Sequence, residues 1–173
     1  MQRVVILGRG ASGKSTLARA LGAITKLPVI ELDKLFWQPG LLPTPRESWP
    51  AVQEQLVRQQ QWIMEGDLGP YDVVEARLHR ADTVIVLNFS LVRCAYQAIQ
   101  RSHERGDFWR WLLAYRHKYL PLLLQAIAQH ARAADVLIFR NPRAAERFLE
   151  TVVGSPPDGK TPLALPALAL KTS

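Results

Sequence analysis

Apolar positions along this chain fall into two rhythms that alternate from end to end. Short runs of β-branched and aliphatic residues at 3–7, 29–32, 62–64, 83–87 and 136–139 read as strands. The run Thr83-Val84-Ile85-Val86-Leu87 has no polar break inside its apolar part, as expected of a parallel strand buried on both faces. Between the strands the apolar spacing widens to that of a helix. Residues 14–25 place Leu17, Ala18, Leu21 and Ile24 on one face. A second helix reaches about residue 60 and starts at one of two places. Thr44-Pro45-Arg46-Glu47 has the form of a capping box, whereas Pro50 favours a start at Ser48. Further helical patterns cover 71–79, 91–102, 108–132 with a kink expected at Pro121, and 142–152. Leu27-Pro28 and the stretch from Pro39-Gly40 to Pro43 punctuate the pattern as loops.

Five strands separated by helices predict an α/β fold, a parallel sheet with helices on both faces. No internal repeat is visible. The expected organisation is one domain over 1–152, followed by a proline-rich tail over 153–173 that is predicted to be mobile. Length and composition agree, since 173 residues with 48% hydrophobic and 21% charged positions suit one globular core. The single cysteine, Cys94, rules out an internal disulfide or a Cys-rich zinc site. The apolar start at residues 4–7 is too short for a secretory signal, and Gly8-Arg9 breaks it. The apolar stretch 111–128 is interrupted by Arg116, His117 and Lys118, so a membrane span is not expected. A soluble, cytoplasmic protein is the expectation. The net charge of +7 favours anionic partners, either nucleic acid or a phosphate-bearing small molecule, and does not choose between them.

The chemistry concentrates directly after the first strand. Residues 8–15 read Gly-Arg-Gly-Ala-Ser-Gly-Lys-Ser, which satisfies the P-loop pattern. Gly8, Gly10 and Gly13, with Ala11 and Ser12 between them, let successive backbone N–H groups face a phosphate at the start of the following helix. Lys14 is placed to reach the β- and γ-phosphates of ATP, Ser15 to hold Mg²⁺, and Thr16 is a weaker candidate beside it. The same stretch also contains Gly8-x-Gly10-x-x-Gly13, the dinucleotide fingerprint, with Asp33 twenty residues beyond Gly13 where a ribose-binding acid would lie. Lys14-Ser15 favours the P-loop, because a dinucleotide loop has no chemical need for either. The chain is also short for a six-stranded dinucleotide fold with a substrate domain.

No Asn-Lys-x-Asp motif for guanine recognition is present, and the third strand ends in Glu65-Gly66 rather than an Asp-Glu pair. Glu65 is therefore the candidate to hold the water shell of the metal. Several longer stretches carry a resemblance: Gly-x-x-x-x-Gly-Lys-Ser-Thr-Leu-Ala-Arg at 8–19, Leu-Pro-Val-Ile-Glu-Leu-Asp-Lys-Leu-Phe-Trp-Gln-Pro-Gly at 27–40, Trp-Ile-Met-Glu-Gly-Asp from Trp62, Arg-Ala-Asp-Thr-Val-Ile-Val-Leu from Arg80, and Arg-Asn-Pro-Arg-Ala-Ala-Glu-Arg-Phe-Leu from Arg140. On these the chain resembles the adenylate kinase-like P-loop kinases known as topology modulation (FlaR-like) proteins, over residues 1 to about 150. The resemblance implies a three-layer P-loop NTPase fold with sheet order 2-3-1-4-5 and a short helical lid bearing arginines, here at about 101–118. It differs in Glu65-Gly66-Asp67, where relatives often have Asp-Gly-Asn, in Asn88 for Asp, and in Gln97 for Arg. The last change removes one potential phosphate clamp.

By the same resemblance Asp33 contacts the acceptor, as base or hydrogen-bond acceptor, and Arg140 and Arg143 border the adenine. Phe36 and Trp37 would wall the acceptor pocket or simply pack a loop. Arg101 and Arg105 stand one helical turn apart and can face one ligand, so they are the candidate arginines for charge on the transferred phosphoryl group. Asn141 followed by Pro142 also reads as a helix cap and first helical residue. No His, Cys and carboxylate spacing suggests a resident metal, so Mg²⁺ is expected to arrive with ATP. The expected activity is transfer of the γ-phosphoryl group of Mg-ATP to a small acceptor, with nucleotide-like molecules as one candidate class. The alternative is a nucleotide-binding regulator with little or no turnover, associated with DNA.

Overall fold

Each apolar run becomes a strand, and the helical stretches between them form the covering layers. The computed structural model describes residues 1–38, 40, 42–45, 47–69, 72–101 and 106–154. In chain order the elements are β1 Arg3–Gly8, α1 Lys14–Thr25, β2 Val29–Glu31, α2 Leu32–Phe36, β3 Trp37–Gln38, β4 Leu42–Pro43, α3 Trp49–Val57, β5 Trp62–Glu65, α4 Glu75–Arg80, β6 Thr83–Leu87, α5 Leu91–Arg101, α6 Gly106–Ala114, a π-helical turn Tyr115–Tyr119, α7 Leu120–His130, β7 Asp135–Phe139 and α8 Pro142–Gly154. The main sheet has the order β2-β5-β1-β6-β7, with every pairing parallel. Counted along these five strands alone, that is the order 2-3-1-4-5 implied by the resemblance. Parallel pairing requires a crossover between neighbours, and the helices supply it.

Side chains of β1 alternate between the two faces, as the pleat demands. Val5 and Leu7 pack with Met64, Val84 and Val86 under Trp49, Leu78 and Ile127 of α3, α4 and α7. Val4 and Ile6 pack with Ile63 and Ile85 under Leu17 and Leu21 of α1 and Phe148 of α8. Each fully buried aliphatic side chain contributes about 1.5–3 kcal/mol relative to exposure. This two-sided burial holds the carboxyl end of β1 rigid, and the glycine-rich loop is built on that end.

Four details differ from the sequence expectation. The second strand stops at Glu31, because Leu32 turns inward to full burial and opens the short helix α2. The loop before α3 contains the hairpin β3–β4, with Trp37 opposite Pro43. Thr44 does not cap a helix; its hydroxyl donates to the Phe36 carbonyl at 2.7 Å, and α3 begins at Trp49 with proline in its first turn. The stretch expected as one kinked helix is two helices joined by the π-helical turn, and the Leu120 N–H donates to the Tyr115 carbonyl. Pro121 has no N–H to give the preceding turn, and the π turn takes up the misfit. The expected C-terminal tail lies, from residue 155 onward, outside the described residues. Among the described residues no helix is long and apolar enough to cross a membrane.

Candidate phosphate-binding site

The loop between β1 and α1 owes its course to close approach. At Gly8, with φ of 145°, a Cβ would lie 2.6 Å from the Leu87 carbonyl oxygen of β6, so any larger residue would push β1 and β6 apart. Ala11 takes a positive φ of 56°, which is uncommon for a residue with a side chain and costs about 1–3 kcal/mol. That strain persists because both flanks are fixed, β1 by the sheet and α1 by its buried Leu17, Ala18 and Leu21. Helix α1 starts after Gly13 with no side-chain hydrogen bond to its first turn. Its leading N–H groups and the positive end of its dipole are thus available to an anion.

Lys14 is the charge around which the site is arranged. Its side chain is buried, and Nζ donates to the Gly8 carbonyl at 3.0 Å and the Arg9 carbonyl at 3.3 Å. The ammonium therefore bridges the loop from below, and phosphate oxygens can take over its hydrogen bonds. Three carboxylates lie within its electrostatic reach: Glu65, Asp33 and Asp67. Glu65 ends β5, level with Ile6 of β1, and is 1% exposed. Burial pushes its carboxyl above the ordinary value, while a hydrogen bond with the Ser15 side chain and the Lys14 charge pull the other way. Glu65 Oε2 has no hydrogen-bond partner. An orphaned buried carboxylate oxygen beside a hydroxyl is a donor set of the hard-oxygen kind that Mg²⁺ accepts. Among the described residues no group of three or more His, Cys, Asp or Glu residues is disposed to hold a metal by itself. Thr16, next to Ser15, is exposed.

Asp33 lies in the first turn of α2. Desolvation raises its carboxyl, and Lys14 lowers it. The residue is nevertheless solvent-exposed, so water screens much of that push. Asp67, two residues past β5, is held from both sides: Oδ1 accepts from the Gly69 N–H at 3.1 Å, and Oδ2 accepts from the Tyr115 hydroxyl at 3.0 Å. Desolvation raises Asp67 and Tyr115 alike, so the phenol stays a donor.

Periodicity did not single out the groups that hold this loop. Arg77 of α4 is fully buried; Nη1 donates to Gln53 Oε1 at 2.7 Å and Asp72 Oδ1 at 2.8 Å, and Nη2 to the Gly66 carbonyl at 3.2 Å. It clamps the segment between Glu65 and Asp67. An arginine beside Leu78 on an inward-facing helical position, with an aspartate five residues earlier, was the available signal. Arg9 and Tyr115 were missed as well. The Arg9 guanidinium is buried and sits 5.4 Å from the Tyr115 ring centre.

Other expected positions lie apart from Lys14. Arg140 follows β7 and Arg143 sits in the first turn of α8; both are exposed. Arg143 lines a shallow cleft with Arg93, Asn141 and Pro142. Asn141 Oδ1 accepts from the Ala144 N–H at 3.0 Å, which makes it the cap of α8. Phe36 is core, edge-on to Trp37 and Trp49, and Trp37 is half-buried beside it. Of the lid arginines, Arg101 ends α5 and its side chain is not among the described ones, while Arg105 lies outside the described residues. The remainder of the expected lid, α6 and the π-helical turn, packs by Leu112 and Tyr115 into the core.

No family model matches the chain, and neither does any curated protein. Solved structures do. A shikimate kinase from Acinetobacter baumannii, in complex with shikimate, superposes with a TM-score of 0.63 at 13% identity, over 88% of this chain and 91% of that one. A sugar kinase from a Janibacter species gives 0.58 at 17% identity over 89% and 93%, and a gluconokinase from Sinorhizobium meliloti gives 0.52 at 14% over 88% and 90%. Identities this low establish the fold alone. It is the three-layer α/β fold of P-loop NTPases, a five-stranded parallel sheet flanked by helices.

Proposed function

We propose that the protein transfers the γ-phosphoryl group of Mg-ATP to a hydroxyl of a small acceptor. The observation that carries this is the grouping of Lys14, Ser15 and the orphaned Glu65 carboxylate at the uncapped start of α1. The fold shared with small-molecule kinases supports it, and so does the resemblance to the topology modulation proteins. ATP phosphates lie on the N–H groups of residues 10–16, and Lys14 exchanges the Gly8 and Arg9 carbonyls for β- and γ-phosphate oxygens. Ser15 would hold the Mg²⁺ that arrives with ATP and Glu65 would orient its water, and the ion would supply positive charge against the phosphates. Asp33 accepts the proton of the acceptor hydroxyl. The oxygen of that hydroxyl then bonds to the γ-phosphorus as the bond to the β–γ bridging oxygen breaks, and ADP leaves. Arg101 and Arg105 stabilise the transferred group, and Arg140 and Arg143 border the adenine.

The deciding experiment is release of ADP from Mg-ATP across a panel of nucleotides, nucleosides, sugars and hydroxy acids. Acceptor-dependent release is expected with at least one class, and its absence from the whole panel overturns the proposal. A second reading, a nucleotide-binding regulator without turnover, draws on the net charge of +7 and on Gln97 at the position of a potential phosphate clamp. Tight ATP binding with no acceptor-dependent ADP release is the result it requires.

A further inference from the structure

Arg9 is a charge without a counter-charge. The residue is 2% exposed, and its Nε and Nη1 atoms have no hydrogen-bond partner. Among the described residues no ion pair reaches it, in contrast to Arg77, the other deeply buried arginine, which Asp72 neutralises. A buried guanidinium left in this state is a standing cost to the fold, and a phosphate-binding loop has no need of a side chain at this position, because its contacts are made by backbone N–H groups. The surroundings show where the side chain is directed. Arg9 leads out of the carboxyl end of β1, between Gly8 and Gly10 of the loop, and lies over the face of Tyr115. The phenol of that ring is tied to Asp67, past the end of β5. The guanidinium therefore lies in the loop between the Tyr115 ring and α5, where it is the foremost charge acting on the buried Cys94. The aromatic face of α6 closes this region: a Cβ on Gly10 would lie 2.5 Å from the Phe108 ring and 2.6 Å from Trp111, and one on Gly69 2.6 Å from the Trp111 indole nitrogen.

We propose that Arg9 is the receptor for an anionic group, a carboxylate or a phosphate, carried by the acceptor of the kinase reaction. This rests on the P-loop kinase reading and narrows its acceptor to an anion. The planar fork of Arg9 takes two oxygens of such a group, and the two orphaned nitrogens gain the partners they lack. A neutral sugar or nucleoside leaves the charge buried and unpaired, so the site discriminates against it in the way a polar pocket rejects an analogue lacking its complementary group. Tyr115 keeps the guanidinium aligned by its ring.

The test separates this inference from the nucleotide reading by filling the donor half of the site first. Thermal unfolding is followed for wild type, Arg9→Met and Arg9→Lys, each with saturating Mg²⁺ and the non-hydrolysable ATP analogue AMP-PNP, and then with inorganic phosphate or malonate added. AMP-PNP should raise the unfolding temperature of all three proteins; absence of that shift in wild type defeats the P-loop reading itself. Phosphate or malonate should add a further rise of several degrees in wild type, a smaller one in Arg9→Lys and none in Arg9→Met, and the ion giving the larger rise names the group. No further rise in wild type with either ion, or an equal rise in Arg9→Met, overturns the proposal. The ligand-free proteins supply an independent readout. If Arg9 is kept for a ligand, Arg9→Met removes a costly buried charge and unfolds at a temperature equal to or above that of wild type. If that variant instead unfolds several degrees lower, Arg9 is a structural pin and the proposal fails.

Discussion

At the scale of single residues, Lys14 and Glu65 make opposite predictions for the ligand-free and the nucleotide-bound protein. If Lys14 gives its hydrogen bonds over to a nucleotide, as the proposed function requires, Lys14→Ala should abolish stabilisation by Mg-ATP. At a ligand concentration of about 100 times the dissociation constant, wild type gains about 2.7 kcal/mol, or ~5–10 °C for a domain of this size. A Lys14→Ala protein still stabilised as strongly as wild type would remove the P-loop from the site. Glu65 works the other way in the absence of metal. Its folded pKa stands above the ordinary 4.5, chiefly through burial, with Asp33 and Glu31 adding to the rise and Ser15 and Lys14 opposing it. The folded protein therefore keeps this proton where the unfolded chain has released it. That contribution is fully present below pH 4.5 and is lost as pH rises through the folded pKa. Glu65→Gln in EDTA should consequently unfold at a higher temperature than wild type at pH 7, with the gap closing as pH falls toward 4.5. A gap independent of pH would mean that Glu65 is not held against its charge. These two residues were legible in the sequence because a glycine-rich loop and a strand end are local patterns. Arg77 and Tyr115 were not, since their partners Gln53 and Asp67 lie 24 and 48 residues away. Spacing along a chain carries no mark of such meetings.

At the scale of elements, the loop after β5 depends on α4 rather than on its own sequence. Arg77 reaches from α4 to the Gly66 carbonyl and pairs with Asp72, so one fully buried side chain fixes the segment that carries Glu65 and Asp67. Replacing it by alanine leaves Asp72 and Gln53 without their shared donor. Breaking a buried pair from one side costs about 3–5 kcal/mol. Urea unfolding of Arg77→Ala should show a loss of that size, and a loss under 1 kcal/mol, about the worth of an exposed pair, would show that the clamp is not formed. The contact of α6 with the loop makes a second prediction. Gly10→Ala puts a methyl group against the Phe108 and Trp111 rings, which must shift or strain the loop, at about 1–3 kcal/mol. Adding Trp111→Ala should recover part of that loss, a non-additivity expected only of residues in contact. Strands and long helices were legible because their apolar period is sustained. The short helix α2, the hairpin β3–β4 and the π-helical turn were not: two to five residues do not define a period, and each follows from tertiary packing or from Pro121.

At the scale of the whole molecule, the net charge of +7 has two outlets, and salt separates them. A protein that holds DNA as its ligand neutralises many phosphates at once and releases their counterions. With six to ten such contacts its affinity falls by about 10³–10⁵ between 50 and 200 mM salt. A kinase site meets one triphosphate through backbone N–H groups and a buried lysine, where screening by salt is weak. Among the described residues Lys14, Arg9 and Arg77 are buried, Arg19 and Lys34 are engaged by Glu31, and Arg93, Arg143 and Arg147 line one cleft. Three arginines in one cleft are fewer than the six to ten phosphate contacts of such a protein. Binding of duplex DNA measured by anisotropy should therefore be weak at physiological salt, in the non-specific range of about 10⁻⁴–10⁻⁶ M, and indifferent to sequence. Over the same salt range the affinity for Mg-ATP, measured by calorimetry, should change far less. Sequence-dependent DNA binding well below 10⁻⁶ M, roughly the non-specific limit, together with ATP affinity that collapses in salt, would give the charge to nucleic acid and take the site away from phosphoryl transfer.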